Sequence, residues 1–218
     1  MGRDKAFLPI TEGGEPMIAL VLERLRGVAD DVSIVANDAE RYGRFGVRVV
    51  PDVLTEIGAL GGIHAAVSHA ANERCLVVAC DMPFLNDALL SRMANEPRDY
   101  DVLIPVISGE SRQGRQDGVL QTLHAIYSKQ CLPAIEAQIR HGNRRVIGFF
   151  DEVRVRTLEQ SELERWDPEL RSFFNANTPE TLALASDLAR GGEPSAGVRR
   201  SPIGHESREG SLNEDGSR

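Results

Sequence analysis

Cysteine is scarce: the chain of 218 residues holds three, Cys75, Cys80 and Cys131. Their number and uneven spacing exclude a disulfide framework or a zinc site. Each lies in an apolar stretch, which points to a reducing, cytoplasmic setting. Long hydrophobic runs are missing too. The longest, such as Ile18 to Leu22 and Cys75 to Cys80, fall far short of the roughly 20 apolar residues that span a bilayer. No signal peptide opens the chain, so no membrane association is expected. Positive charge is in deficit: 25 Lys and Arg against 33 Asp and Glu leave a net charge of -8. That excludes a broad, sequence-blind nucleic-acid face but leaves room for local phosphate binding.

What is present suffices for a folded domain. The chain is 41% hydrophobic and long enough for one α/β domain or two small ones. Its composition changes near residue 190. From Gly191 to Arg218 it is Gly, Ser, Pro and polar or charged residues, with Ala196, Val198, Ile203 and Leu212 as the apolar members. So few apolar groups cannot offset the entropy lost on ordering the backbone. We read one domain over 1–190 and a disordered tail over 191–218.

The domain alternates between two periodicities. Ile18, Val21, Leu22 and Leu25 recur at helical spacing between Pro16 and Gly27, with proline near the start and glycine past the end of the predicted helix. Strands are expected at 32–36 and 47–50. Gly61 and Gly62 open an alanine-rich helix to about Ala71, and the apolar run Cys75 to Ala79 suits a buried parallel strand. A helix from Asn86 to about Asn95 precedes a strand over 102–106. Strands follow near 119–123 and 153–158, with helices near 132–140 and 179–189. Thr178 reads as the N-cap of the last helix, with Pro179 at its first position. Trp166, Phe173 and Phe174 read as core. The alternation predicts an α/β fold, a mostly parallel sheet covered by helices.

In open α/β sheets, ligands bind beyond the carboxyl ends of the strands. Polar residues stand at three such places: Asn37 and Asp38, Asp52, and Asp81. Each alone is an ordinary turn or cap residue; together they mark one edge. Asp81 is the sharpest, because CDMPFL places a carboxylate at the mouth of a buried strand and Pro83 stiffens the exit. A single aspartate suits Mg²⁺, which fills its remaining positions with water and phosphate oxygens. Lys5 is a candidate phosphate ligand near the start. His64 and His69 are not at the i, i+4 spacing of a helical zinc pair, so they read as surface or packing residues. Arg112 and Arg115 lie in a glycine-containing basic loop that reads as a solvated hairpin.

The stretches MGRDKA, VVPD, ALGGIHAA, CDMPFL, LHAIYS and FFNANTPETL, in this order and at these spacings, resemble the molybdenum cofactor guanylyltransferases, the MobA family. The likeness runs from Met1 to about Ala189, and CDMPFL and NANTPE are its most specific pieces. It implies a Rossmann-like nucleotidyltransferase fold. It also implies transfer of GMP from GTP to molybdopterin already carrying molybdenum, with pyrophosphate released and Mg²⁺ required. By matching motif, Lys5 would contact the GTP phosphates and Asp81 would bind Mg²⁺, as the two catalytic groups. Asn37 and Asp52 would help hold GTP, while Asn175, Asn177 and His124 would lie near the molybdopterin. The enzymes that insert molybdenum and the molybdoenzymes that use the product become expected partners.

Such chemistry needs positioning and charge neutralisation rather than a protein nucleophile, because the attacking phosphate is already ionised near neutral pH. Two alternatives remain. One is a CTP-dependent molybdopterin cytidylyltransferase, against which Met82 stands, since those relatives tend to carry glutamine there. The other is a truncated, non-catalytic relative that binds molybdopterin. Family members begin with a buried strand and a glycine-rich loop ahead of the methionine matched by Met1. The resemblance therefore implies that the first strand of the sheet is missing from this sequence.

Overall fold

The computed structural model describes residues 5–110 and 116–191. Arg112, Arg115 and all of the expected tail except Gly191 lie outside the described residues.

The chain enters through a short 3-10 turn, Lys5–Phe7, and then forms helix α1, Met17–Arg26. Pro16 precedes the helix, and the Gly27 N–H closes it on the carbonyls of Arg24 and Leu25. Strand β1 (Ser33–Val35), helix α2 (Ala39–Gly43) and strand β2 (Arg48–Val50) follow, with β1 and β2 paired in parallel. Helix α3 (Ala59–His69) leads to β3 (Arg74–Val78), and α4 (Asp87–Ala94) to β4 (Val102–Glu110). Next come β5 (Gln116–Leu120), β6 (His124–Ser128) and α5 (Leu132–Arg140). Strand β7 (Val155–Glu159), α6 (Gln160–Leu163) and α7 (Pro179–Ala189) complete the order. Thr178 caps α7 in a reciprocal box with Thr181.

The strands form two sheets. β1 and β2 make one; the other runs β3-β6-β4-β5, with β7 also paired to β4. In the larger sheet β3–β6, β6–β4 and β4–β5 are antiparallel and β4–β7 is parallel. This corrects the expected mostly parallel sheet. The physical reason lies in β6, whose five residues are all buried. With helices on both faces, a strand loses the apolar-polar alternation that distinguishes antiparallel from parallel settings. The same loss hid β6 itself, since the strand expected over 119–123 ends at Leu120 and a new one begins at His124.

Both faces of the larger sheet are covered. Val102, Ile104, Ala125 and Tyr127 pack against Leu60, Ile63 and Val67 of α3 and Ile135 of α5. Leu103, Ile126 and Leu158 face the other way, toward Leu89 and Met93 of α4. Phe173 joins this second cluster, whereas Trp166 is 43% exposed and is not core. Its neighbours explain this: Leu163 and Asp167, both buried, take the inward positions of that turn. Among the described residues no helix is long and apolar enough to cross a membrane.

Candidate active site

The first half of the site lies where β1 and β2 end. Asn37 Nδ2 donates to the Asp52 carbonyl at 2.8 Å, and the Asp52 N–H donates to Asn37 Oδ1 at 2.8 Å. The amide thus braces the two strand ends and is spent on backbone. The Asp52 carboxylate turns inward to accept the Leu54 N–H at 2.9 Å. The chain then reaches α3 through Gly58, at φ +72°, a conformation that glycine adopts without strain. Gly61 packs so closely on this turn that an added Cβ would lie 2.6 Å from the Leu54 carbonyl and 3.3 Å from Asp52 Oδ1. The glycines read as a helix start therefore also let the α3 backbone approach Asp52.

Lys5 is carried on the entry turn, whose shape is fixed from beneath. Ala6 is 1% exposed and packs on Ile18 and Leu22 of α1 and Ile34 of β1. The Phe7 ring lies 5.0 Å from Tyr42 and 5.8 Å from Phe45. The Arg41 and Arg44 guanidinium groups sit 4.0 and 4.7 Å from the same ring centre. Two cations held over an aromatic face give this acidic chain a locally basic flank that the sequence reading missed. The signal was RYGRF, two arginines at helical spacing beside an aromatic.

The second half lies beyond β3. The Ala79 N–H donates to the Leu123 carbonyl at 2.9 Å, and the chain turns at Cys80 and Asp81 above buried Met82 and Pro83. The Ala176 N–H donates to the Asp81 carbonyl at 2.9 Å. This bond places Asn175 and Asn177, both half-buried, beside Asp81 on either side of buried Ala176. Ile10 packs with Ala176, Phe84 and Phe174. The stretch from Lys5 to Ile10 thus contacts both halves, through Ala6 on one side and Ile10 on the other.

His124 takes a different place from the ligand-facing one expected. It is the first residue of β6, pairs with Val78, and is 0% exposed. Its ring lies 4.7 Å from that of Phe173, and neither ring nitrogen has a partner in hydrogen-bond geometry. Burial pushes the imidazole down to about 4, opposed by the Ser172 backbone and the Asp167 charge. At neutral pH it is uncharged and closed in against Phe173.

Among the described residues no group of three or more His, Cys, Asp and Glu could enclose a metal ion. Asp81 offers one hard oxygen donor at a strand end, which fits Mg²⁺ completed by water and phosphate oxygens. His64 faces Glu136 at 3.5 Å, and His69 Nδ1 lies 2.9 Å from the Ala65 carbonyl, both in packing roles.

A family model described as a MobA-like NTP transferase domain matches residues 1–157. The chain is 41% identical to a probable molybdenum cofactor guanylyltransferase of Pelotomaculum thermopropionicum, over 87% of this chain and 87% of that one. It is 33% identical to a molybdenum cofactor guanylyltransferase of Desulfosudis oleivorans, over 88% and 90%. Molybdopterin-guanine dinucleotide biosynthesis protein A from Archaeoglobus fulgidus superposes with a TM-score of 0.72 at 27% identity, covering 87% of this chain and 92% of that one. The 2-C-methyl-D-erythritol 4-phosphate cytidylyltransferase of Thermus thermophilus shares the fold, with a TM-score of 0.63 at 18% identity over 85% and 94%.

Proposed function

This chain belongs to the MobA-like NTP transferase family, and from that premise we propose that it transfers GMP from GTP to molybdenum-carrying molybdopterin. A terminal phosphate oxygen of the pterin attacks the α-phosphorus of GTP in line. A new P–O bond forms, the α–β phosphoanhydride bond breaks, and pyrophosphate leaves with its electron pair. The protein's work is to align the two phosphates and offset their charge. The Lys5 ammonium, on a turn anchored by Ala6, balances charge building on the leaving pyrophosphate. The Asn37–Asp52 brace and the close approach of α3 at Gly61 shape the nucleotide's seat.

The observation that best supports this reading is the Ala176–Asp81 backbone bond. It brings the backbone of the segment holding Asn175 and Asn177, whose amides would suit a polar pterin, against that of Asp81, whose carboxylate would serve the nucleotide's phosphates. Asp81 is the residue that would hold Mg²⁺, and the ion when bound supplies charge neutralisation at the α-phosphate. His124, neutral and buried, supports the asparagine-bearing chain from beneath through Phe173. Cys75, Cys80 and Cys131, none of them in a disulfide, accord with a cytoplasmic enzyme. Enzymes that insert molybdenum and molybdoenzymes that take up the product are its natural partners.

Pyrophosphate release from GTP, Mg²⁺ and molybdenum-loaded molybdopterin tests the reading. Release that requires both substrates is expected; tight pterin binding with no release would show a binding protein instead.

A further inference from the structure

Two irregular stretches of chain carry the second half of the site. One joins β3 to α4 over residues 79–86 and bears Asp81. The other runs from the 3-10 turn Arg171–Phe173 to Thr178, ahead of α7, and bears Asn175 and Asn177. Neither belongs to a strand or an α-helix, so the contacts between them set how the groups they carry are placed. They are tied along their length. The Ala176 N–H donates to the Asp81 carbonyl at 2.9 Å. The Phe84 and Phe174 rings meet with 5.8 Å between centres. The Asn86 N–H donates to Ser172 Oγ at 2.9 Å. Each step forward on one stretch is a step back on the other, so the two run antiparallel, with the site at one end and Ser172 at the other.

The Ser172 end is held from behind. Ser172 and Asp167 are both buried, and the Ser172 N–H donates to Asp167 Oδ2 at 2.8 Å. Burying a carboxylate is costly unless it is hydrogen-bonded, and here its bond goes to the backbone of the tying residue. Between the two the chain reverses tightly. The Leu170 N–H donates to the Asp167 carbonyl at 2.9 Å, and Leu170 takes φ +53°, a left-handed conformation that a side chain opposes. Such strain persists only where the surroundings enforce it, and it clusters where geometry serves function. Leu170 is enforced by packing in the cluster that holds Leu89, Met93 and Phe173. On the far side, Asn86 Oδ1 accepts the Ala88 and Leu89 N–H groups at the start of α4. A polar chain, Asp167–Ser172–Asn86, thus links the strained turn to the cap of that helix.

We propose that Asp167 and Ser172 are positioning residues for the transfer reaction, a buried latch that fixes how the Asp81 stretch sits against the stretch bearing Asn175 and Asn177. The inference rests on the guanylyltransfer reading and adds to it two residues that touch neither substrate. The two stretches serve different substrates, and in-line attack loses rate steeply when reacting groups shift by about 1 Å. Opening the latch lets one stretch slide on the other. Asn37, Asp52 and Gly61 stand on the other half of the site, so the nucleotide's seat is spared.

The test compares Asp167→Ala, Ser172→Ala and Asp167→Asn in the full chain. The two alanine variants should each speed amide exchange at Ala176 by about tenfold or more, as expected for loss of a buried hydrogen bond, and leave exchange in β6 as it was. With GTP and molybdenum-loaded molybdopterin, kcat should fall by about tenfold or more while KM for GTP stays within about twofold. Asp167→Asn keeps an oxygen acceptor for the Ser172 N–H and should restore most of both. Unchanged exchange at Ala176 would overturn the latch, as would exchange that rises equally in β6. Faster exchange at Ala176 with unchanged kcat would overturn its part in the reaction. Failure of the unaltered protein to release pyrophosphate would overturn the guanylyltransfer reading, and the latch's catalytic part with it, while exchange at Ala176 still decides the latch.

Discussion

The side-chain amide of Asn37 satisfies both backbone groups of Asp52, donating to its carbonyl and accepting from its N–H, each at 2.8 Å. Asn37→Ala leaves that donor and acceptor to solvent, at a cost of about 1 kcal/mol for so exposed a pair. Because the brace positions Asp52 and the turn into α3, KM for GTP should rise severalfold while kcat changes little. Denaturant melts and steady-state kinetics check both; an unchanged KM would remove Asn37 from the nucleotide's seat.

Asp81→Asn keeps the shape of the strand exit but removes the negative donor. Turnover is expected to fall about a hundredfold or more, with the melting temperature nearly unchanged. Turnover close to wild type at ordinary Mg²⁺ would show that another group carries the metal.

Adjacent glycines on α3 should respond with opposite signs. Gly61→Ala drives a Cβ to 2.6 Å from the Leu54 carbonyl, and should destabilise by about 1–3 kcal/mol and weaken GTP binding. Gly62→Ala meets nothing within 4 Å and should stabilise by up to about 1 kcal/mol through helix propensity. Urea midpoints of the two variants decide it; shifts of the same sign would contradict the close approach of α3 to the Asp52 turn.

His124 makes stability depend on pH in a definite direction. Its folded value, about 4, lies below the ordinary 6.5, so the unfolded chain takes up the proton first. Its contribution is complete above pH 6.5 and is lost as pH falls toward 4, by about 1.4 kcal/mol per unit and about 3 kcal/mol in all. His124→Met should flatten the stability profile in that window. An unchanged slope would mean that the ring takes up its proton as readily in the folded protein as in the unfolded chain.

Local elements were legible where a few residues carry the physics. Pro16 and Gly27 bracket α1, Thr178 and Pro179 start α7, and Asn86 caps α4 through the Ala88 and Leu89 amides. The places of Asp52 and Asp81 just beyond β2 and β3 were legible because an apolar run ends where the polar residue begins. Strand direction was not, since β6 is buried at every position and reads the same either way. The Asn37 brace and the Ala176–Asp81 bond escaped notice because each ends on the backbone of a residue distant in sequence, and backbone partners leave no mark in side-chain patterns.

Discrimination among nucleotides bears most directly on the guanylyl reading. Purified protein is given Mg²⁺, molybdenum-loaded molybdopterin and equal amounts of GTP, CTP and ATP, and the dinucleotide products are resolved by mass spectrometry. The guanine dinucleotide is expected to dominate, because base edges that match the site keep hydrogen bonds that a mismatched base leaves unpaired. A cytosine dinucleotide formed as readily, or more so, would contradict the guanylyl assignment and move the chain to the cytidylyl branch.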